Sequence, residues 1–325
     1  MLTKRSDGIQ MGKKTVIPSL QPNVYPYNSI KLRPALIDIF LTETQMDPRT
    51  IATNVRSIFS LPDVVIRIND LIDSGDASNY ELDQVISSDP ALTAKLLKFA
   101  NSTYFGFSGK VETVLKAISI IGHKELRNLV LATSVTSTFK GISSDLVDMD
   151  TFWNHSITCG VTARLLASSV DSRERFFIAG LLHGVGRLIL FSQYPEESAK
   201  VLGYMNQGED AAILAERKIF GFTHAQLGAE LLKQWKLPPN IWKMVEHQFD
   251  PMKDAEYEYD ANTLCAAINI ANYIQPCTNQ KINHEETIPE RALKTWSYLG
   301  LSVEIIESVM TVAKLQVVEV FNAIR

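Results

Sequence analysis

Four histidines in this 325-residue chain have the residue type and the spacing that could do chemistry: His155, His183, His224 and His247. Each lies in, or at the end of, a different predicted helix, and histidines dispersed in this way can converge in a helical fold to bind a metal ion. Six histidines in 325 residues is, however, an ordinary number. Buried polar side chains are also commonly hydrogen-bonded within a core. Each histidine is therefore a metal ligand, a satisfied core residue or the remnant of a lost active site.

His183 is the most informative of the four because of the residues around it. It lies in an apolar run from Phe176 to Leu190 that predicts one buried helix-like stretch. The residue that follows it is Gly184, which has no side-chain ligand atom, rather than an acid. A membrane span needs about 18 uninterrupted apolar residues, and His183 and Arg187 interrupt this run. We therefore expect a core helix and no membrane segment.

Helix start signals recur along the chain from residue 47 onward, and no stretch predicts a strand. Ser78 to Glu81 and Thr223 to Gln226 are capping boxes, in which the first and fourth residues satisfy each other's free backbone donors. Asp89-Pro90 combines an N-cap with a proline at the first helical position. Asp150 is predicted to cap the helix that carries His155. The last helix shows a predicted apolar stripe with one polar break, made of Ile305, Val309, Val312, Gln316, Val320 and Ile324.

Composition and charge narrow the class of protein. The formal net charge is -4, from 32 Lys plus Arg and 36 Asp plus Glu, which argues against nucleic acid as a partner. The three cysteines, Cys159, Cys265 and Cys277, form no CxxC pair and are interpreted as reduced, mostly buried residues. Residues Met1 to Lys14 are charged and polar without an apolar segment, so we expect no secretory signal. We expect a cytoplasmic protein that does not bind a membrane.

Several motifs, in the same order along the chain, resemble those of the HDOD domain, the HD-related output domain of bacterial signalling proteins. The motifs are Leu61-Pro62, Ser88 to Ser102, Val114 to Gly122, Gly180 to His183, Glu216 followed by Gly221 and His224, and Trp235 to Pro238. The resemblance covers about residues 50 to 275 and implies an all-α, multi-helical fold. The expected organisation is an N-terminal extension (1–46), an HDOD domain (47–275) and C-terminal closing helices (276–325). Within the domain, a helical lobe at 47–140 packs on a degenerate HD-like lobe at 145–275.

HDOD domains are similar in fold to the HD superfamily of metal-dependent phosphohydrolases. By this resemblance His155, His183, His224 and His247 match metal-binding histidines, whereas the two aspartates of the enzymes are replaced by Gly184 and Asn272. Glycine offers no ligand atom, and a neutral amide brings no negative charge to hold a divalent cation. The resemblance therefore implies no catalytic residue, no cofactor and no metal. If a metal does bind, the four histidines are its expected ligands.

The function implied by the resemblance is a non-catalytic signal-transduction or regulatory module that binds a small ligand or a partner signalling protein through the cleft between the lobes. The alternative is a phosphohydrolase with an altered metal site, acting on nucleotides or cyclic dinucleotides. The candidate ligand-binding residues are those of the degenerate HD site: His155, His183, Gly184, Arg187, His224, His247 and Asn272.

Two smaller clusters allow both a functional and a structural interpretation. One contains His123, Lys124, Arg127 and Arg187, and is an anion-binding patch or a set of solvated charges. The other, Tyr104, Phe105 and Phe107, is an exposed partner loop or a set of core residues at the lobe junction.

Overall fold

The computed structural model describes residues 46–102, 109–139, 142–143, 145–275 and 288–324, which belong to one compact unit spanning residues 45–325. These described residues form helices and no strand, so the predicted all-α, multi-helical fold is confirmed. The first eight helices are α1 (Pro48–Asn54), α2 (Asp63–Asp73), α3 (Asn79–Ser87), α4 (Pro90–Ala100), α5 (Val114–Thr138), α6 (Met149–Leu166), α7 (Arg173–Leu182) and α8 (Val185–Gln193). The others are α9 (Pro195–Leu202), α10 (Glu209–Phe220), α11 (His224–Gln234), α12 (Pro239–Glu246), α13 (Glu258–Ile274), α14 (Glu290–Tyr298) and α15 (Val303–Ile324).

The two predicted capping boxes and the Asp89-Pro90 signal begin the helices to which they were assigned. In the first capping box the backbone N–H of Ser78 donates to Glu81 at 2.9 Å, and the N–H of Glu81 donates to the Ser78 hydroxyl at 3.2 Å. The second box, at the start of α11, is also present and places His224 at the first helical position. The carboxylate of Asp89 accepts from two N–H groups of α4, at 2.9 and 3.0 Å. Short-range chemistry therefore accounts for where these helices begin.

Three expectations about helices are corrected by the structure. Asp148, not Asp150, caps α6, because its carboxylate accepts the Asp150 N–H at 2.9 Å. The apolar run that contains His183 is two helices, since α7 ends at Leu182 and α8 begins at Val185. The stripe of α15 is correct only in part, because Val320 is buried as predicted, whereas Ile305 and Val312 are exposed and Ile306, Ala313 and Val317 are buried instead. Apolar residues occur on both sides of this helix, so periodicity could not identify the packed side.

Two glycines bring α6 and α7 into backbone contact. A Cβ atom added to Gly180 would lie 2.6 Å from the Cα of Gly160, and one added to Gly160 would lie 2.7 Å from the carbonyl oxygen of Phe177. Real Cβ contacts are longer than this, so only glycine permits the approach. Because His155 lies on α6 and His183 directly follows α7, this close packing places the two histidines side by side.

A third glycine brings the start of α8 against the start of α11. A Cβ atom on Gly186 would lie only 1.9 Å from the carbonyl oxygen of His224. The contact places the next residue, Arg187, beside the imidazole of His224.

One segment that includes α7 and α8, Arg173–Gln193, has the length and hydropathy of a membrane span, but 89% of its apolar window is buried inside the protein.

Some predictions concern residues outside the described ranges. These are the N-terminal extension up to residue 45, the aromatic loop of Tyr104, Phe105 and Phe107, and Cys277. The boundaries between the two lobes and the closing helices stay predictions.

Candidate functional site

His155 and His183 form the centre of the candidate site, with ring centroids 5.4 Å apart. The Nδ1–H of His155 donates to the carbonyl oxygen of Gln275 at 2.6 Å, and the Nδ1–H of His183 donates to the carbonyl oxygen of Gly180 at 2.7 Å. Neutral imidazole carries one proton, so in both residues Nε2 is left with its lone pair. Burial lowers the pKa of His155 to about 4, and burial together with the neighbouring His155 lowers the pKa of His183 well below its usual value. Both rings are therefore neutral at physiological pH.

Cys159 completes this cluster, and sequence reasoning did not assign it to the site. It lies one helical turn after His155 on α6, and its Sγ is 3.3 Å from Nε2 of His155. One ligand atom each from His155, Cys159 and His183 lies within 4.8 Å of the other two, and all three residues are buried. The only sequence signal was the spacing of four residues between a histidine and a cysteine, which places them on one helix face. That spacing is common in helices without a metal.

His224 lies in a buried ion-pair network beside the His155–His183 pair. Its Nδ1 is 2.8 Å from Oε1 of Glu216, and its backbone N–H donates to Oε2 of Glu216 at 2.9 Å. An ionised carboxylate can only accept, so Nδ1 carries the proton and donates it to Glu216. The Nε of Arg187 lies 3.2 Å from the same Nδ1 and 3.8 Å from Oε1 of Glu216. We take this as an ion-pair contact with the carboxylate, because a protonated Nδ1 cannot accept.

The pKa values of this group follow from burial and charge. Burial, and then the positive charge of Arg187, lower the pKa of His224 and keep its ring neutral. Burial acts to raise the pKa of Glu216, but the contacts with His224 and the Arg187 guanidinium outweigh it, so the pKa of Glu216 lies below its usual value. The carboxylate is therefore ionised and is neutralised by Arg187.

The network continues from Arg187 to α14. Arg187 lies 3.7 Å from Glu209 at the start of α10, and Glu209 in turn pairs with Arg291 at 3.1 Å. Arg291 also pairs with Asp210 at 2.8 Å. Alternating charges thus link α8, α10, α11 and α14. In this part of the site the positive charge comes from arginine side chains.

Gly184 and Asn272, which the resemblance matched to the two aspartates of an HD enzyme, do not fit a hard divalent cation. A Cβ atom on Gly184 would lie 3.2 Å from two ring atoms of Phe152, so an aromatic ring occupies the space next to this position. Asn272, on α13, is half-buried and neutral. Mg²⁺ and Mn²⁺ favour carboxylate and water oxygens. The described residues of the His155–His183 cluster supply imidazole and thiol groups instead, so a hydrolytic metal of that class does not suit this donor set.

His247 belongs to a different environment from the other three histidines. It follows α12, and its Nε2 lies 3.9 Å from Glu246 and 3.8 Å from Asp254, without a hydrogen bond among the described residues. Burial lowers its pKa. The neighbouring Gln248 does reach the cluster, because its side-chain N–H donates to the carbonyl oxygen of His183 at 3.0 Å.

The predicted anion patch is dispersed among separate partners. Arg127 pairs with Asp73, Arg187 belongs to the buried network, and His123 is hydrogen-bonded to Asn79 at 2.7 Å. His123 and Lys124 do line one cavity of about 310 Å³.

This cavity, which we call the junction cavity, lies where α5 meets the start of α7. Its lining residues are Ile121, Gly122, His123, Lys124, Glu125, Val170 and Glu174. Gly122 has φ 76° and ψ 164°, a conformation open essentially to glycine alone, and it divides α5 into two helical segments. Burial and the adjacent Glu174 raise the pKa of Glu125 to about 8, although Arg164 opposes the rise. At neutral pH Glu125 therefore holds a proton that it shares with Glu174 in a hydrogen bond.

A second cavity, beside Arg187 and Glu216, has a volume of only about 10 Å³.

Comparison with known proteins places this chain in a family. A sequence profile of the HDOD domain matches residues 58–251, more than half of the chain. An uncharacterized protein of Treponema pallidum (strain Nichols) is 25% identical over 230 residues, which are 70% of this chain and 44% of that relative. The chain thus spans less than half the length of the curated relative it matches.

Two solved structures show the same fold. One, from Shewanella amazonensis SB2B and assigned provisionally as a phosphohydrolase, has a TM-score of 0.66 at 22% identity and covers 85% of this chain and 98% of its own. The other, from Marinobacter aquaeolei VT8 and assigned provisionally to signal transduction, has a TM-score of 0.62 at 20% identity and covers 86% and 67%. At these identities the likeness concerns the fold.

Proposed function

The chain belongs to the HDOD domain family, and from that premise we propose that it is a non-catalytic module of signal transduction. The observation that carries the proposal is the Phe152 ring, which lies 3.2 Å from the Cβ position of Gly184. In an HD phosphohydrolase the residue after this histidine supplies a metal-binding carboxylate. Here an aromatic ring lies against that position, and the glycine supplies no carboxylate there.

The buried network supports a structural role for the residues of the degenerate site. His224 and Glu216 are 1% and 2% exposed, and the adjacent cavity is hardly large enough for one water molecule. Removing one partner of a buried ion pair leaves an uncompensated charge, which costs about 3 to 5 kcal/mol. The network therefore holds α8, α10 and α11 in one arrangement.

The junction cavity supports the small-ligand part of the proposal. Its volume of about 310 Å³ is at the lower end of the range of ligand pockets, roughly 300 to 1,000 Å³. It is lined from both predicted lobes, by α5 on one side and by Val170 and Glu174 on the other. A ligand bound there would contact both lobes at once. Its binding would therefore favour one packing of the lobes over another, and this change in packing would transmit the signal. A partner protein in the cytoplasm is the proposed receiver of that signal.

A hydrolysis assay tests the proposal against its alternative, a phosphohydrolase with an altered metal site. The wild-type protein is incubated with cyclic dinucleotides and nucleoside phosphates in the presence of Mn²⁺, Fe²⁺ or Mg²⁺, and the products are separated by chromatography. We expect no product above the rate measured without protein. Metal-dependent turnover that is lost in His183→Ala and retained in Glu196→Gln would overturn the proposal. Glu196 is the control because it is exposed on α9 and is not among the predicted metal ligands.

A further inference from the structure

We propose that His155, Cys159 and His183 form a binding site for a soft, thiolate-accepting metal ion of the zinc type. This site differs from the donor set of an HD enzyme in its chemistry, because its third donor is a cysteine sulfur and not a carboxylate oxygen. It also differs from the ligand set expected from the sequence, which contained four histidines and no cysteine. The proposal does not rest on the proposed function, since zinc can bind here whether or not the domain transmits a signal.

The distances among the three donors suit a bound ion. Zinc bonds of about 2.0 Å to imidazole nitrogen and about 2.3 Å to thiolate place two ligands of a tetrahedral site roughly 3.3 to 3.6 Å apart. The Nε2 of His155 and the Sγ of Cys159 are 3.3 Å apart, and every pair of donors in the set lies within 4.8 Å. A hydrogen bond from the thiol to His155 would explain the first distance. It would not explain why the third donor, His183 directly after α7, lies within 4.8 Å of both.

The orientation of both imidazoles is the one that metal-binding histidines usually have. Such a histidine donates its other ring N–H to a carbonyl or carboxylate, which selects the tautomer and directs the free nitrogen to the metal. His155 and His183 both donate Nδ1–H to backbone carbonyls, those of Gln275 and Gly180. Because Nδ1 carries the proton in each of these hydrogen bonds, the Nε2 lone pair of each ring is available to a metal. Helix packing through Gly160 and Gly180 holds the two rings in place without the metal.

The chemistry of the donors selects the ion. Thiolate and imidazole favour zinc and other soft or borderline ions, whereas magnesium and manganese favour oxygen. Binding forms a Zn–S bond and breaks the S–H bond of Cys159, and the proton passes to solvent. Both histidines bind through existing lone pairs. Three protein ligands leave one tetrahedral position for water or a small ligand.

Metal analysis of the purified full-length chain tests the site, after any histidine tag has been removed. The protein is stripped with a chelator, incubated with excess Zn²⁺ or Mn²⁺, freed of unbound ion and analysed by mass spectrometry of the elements. We expect about one zinc per wild-type chain, retention of zinc in Cys265→Ser and essentially none in Cys159→Ser. Manganese should not be retained. Cys265 is the matched control because it is an equally buried cysteine on another helix.

A spectrum of the wild-type protein provides a test that needs no variant, in case Cys159→Ser fails to fold. Cobalt(II) bound in place of zinc should show an intense near-ultraviolet thiolate-to-metal charge-transfer band together with visible bands of a tetrahedral ion. Folded wild-type protein that retains no zinc would overturn the proposal and leave a hydrogen-bonded core cluster. Bound cobalt without the thiolate band, or undiminished zinc in a folded Cys159→Ser variant, would also overturn it. Failure of the zinc site would appear as loss of metal retention, and failure of the proposed function would appear as hydrolysis. Zinc binding without hydrolysis is compatible with both proposals.

Discussion

Substitution of Glu125 by glutamine should change how the stability of the protein depends on pH. In the folded protein burial and Glu174 raise the pKa of Glu125 from 4.5 to about 8, so the folded state keeps a proton that the unfolded state loses. Stability rises with pH only where the unfolded state binds more protons, and here the folded state binds more. This carboxyl therefore contributes most below about pH 4.5, and its contribution falls as the pH rises to about 8. Glutamine resembles the protonated acid and cannot lose that proton.

The size of the effect follows from the pKa change. One pKa unit corresponds to about 1.4 kcal/mol, so the rise to about 8 sets an upper limit of roughly 5 kcal/mol. The junction cavity is open to water and Arg164 lies nearby, and both reduce the cost of ionising the pair. We therefore expect Glu125→Gln to match the wild type near pH 5 and to exceed it by roughly 2 kcal/mol in free energy of unfolding near pH 8.5.

Urea unfolding followed by circular dichroism at several pH values measures this difference. Glu196→Gln is the control, because Glu196 is exposed on α9 and its substitution removes one carboxylate without affecting the pair. The reasoning is refuted if the difference in unfolding free energy between wild type and Glu125→Gln is the same near pH 5 and near pH 8.5.

Three further substitutions test packing, charge and capping. Gly186→Ala should cost at least ~3 kcal/mol or prevent folding, because its Cβ would lie 1.9 Å from a carbonyl oxygen of α11; Gly109→Ala, where a Cβ meets open space, should change the melting temperature little. Glu216→Gln should lower the free energy of unfolding by about 3 kcal/mol, since the buried Arg187 guanidinium loses one of its two counter-charges, and urea titration near pH 7 measures it. A loss below about 1 kcal/mol would show that the network is dispensable. Asp89→Ala should cost about 1 kcal/mol through loss of the α4 cap, and an unchanged urea midpoint would contradict that role.

Local sequence accounts for most of the helix starts. Capping boxes, Asp-Pro pairs and prolines act within one helical turn, so Ser78, Asp89 and Thr223 could be assigned without knowledge of the fold. The order of motifs also identified the HDOD family, because a series of matches in the right order carries more information than any one of them. Where two acids compete for one cap, as Asp148 and Asp150 do, local pattern was not sufficient.

The composition of the site depended on contacts between distant segments. Sequence placed four histidines in, or at the ends of, four helices, but how close the histidines come depends on how closely those helices approach, and Gly160, Gly180 and Gly186 set that distance. The same helix packing places Cys159 in the cluster and His247 outside it.

The sequence alone shows that the residue after His183 is Gly184 and not an acid, because residue identity does not depend on the fold. The ring of Phe152 against that position, and the arginines that carry positive charge near His224, became visible only in the folded chain. Sequence thus determined which chemical groups are present and where most helices begin. Tertiary packing decided which of those groups meet, because contact between residues far apart in the chain depends on side-chain volume and charge across several helices at once.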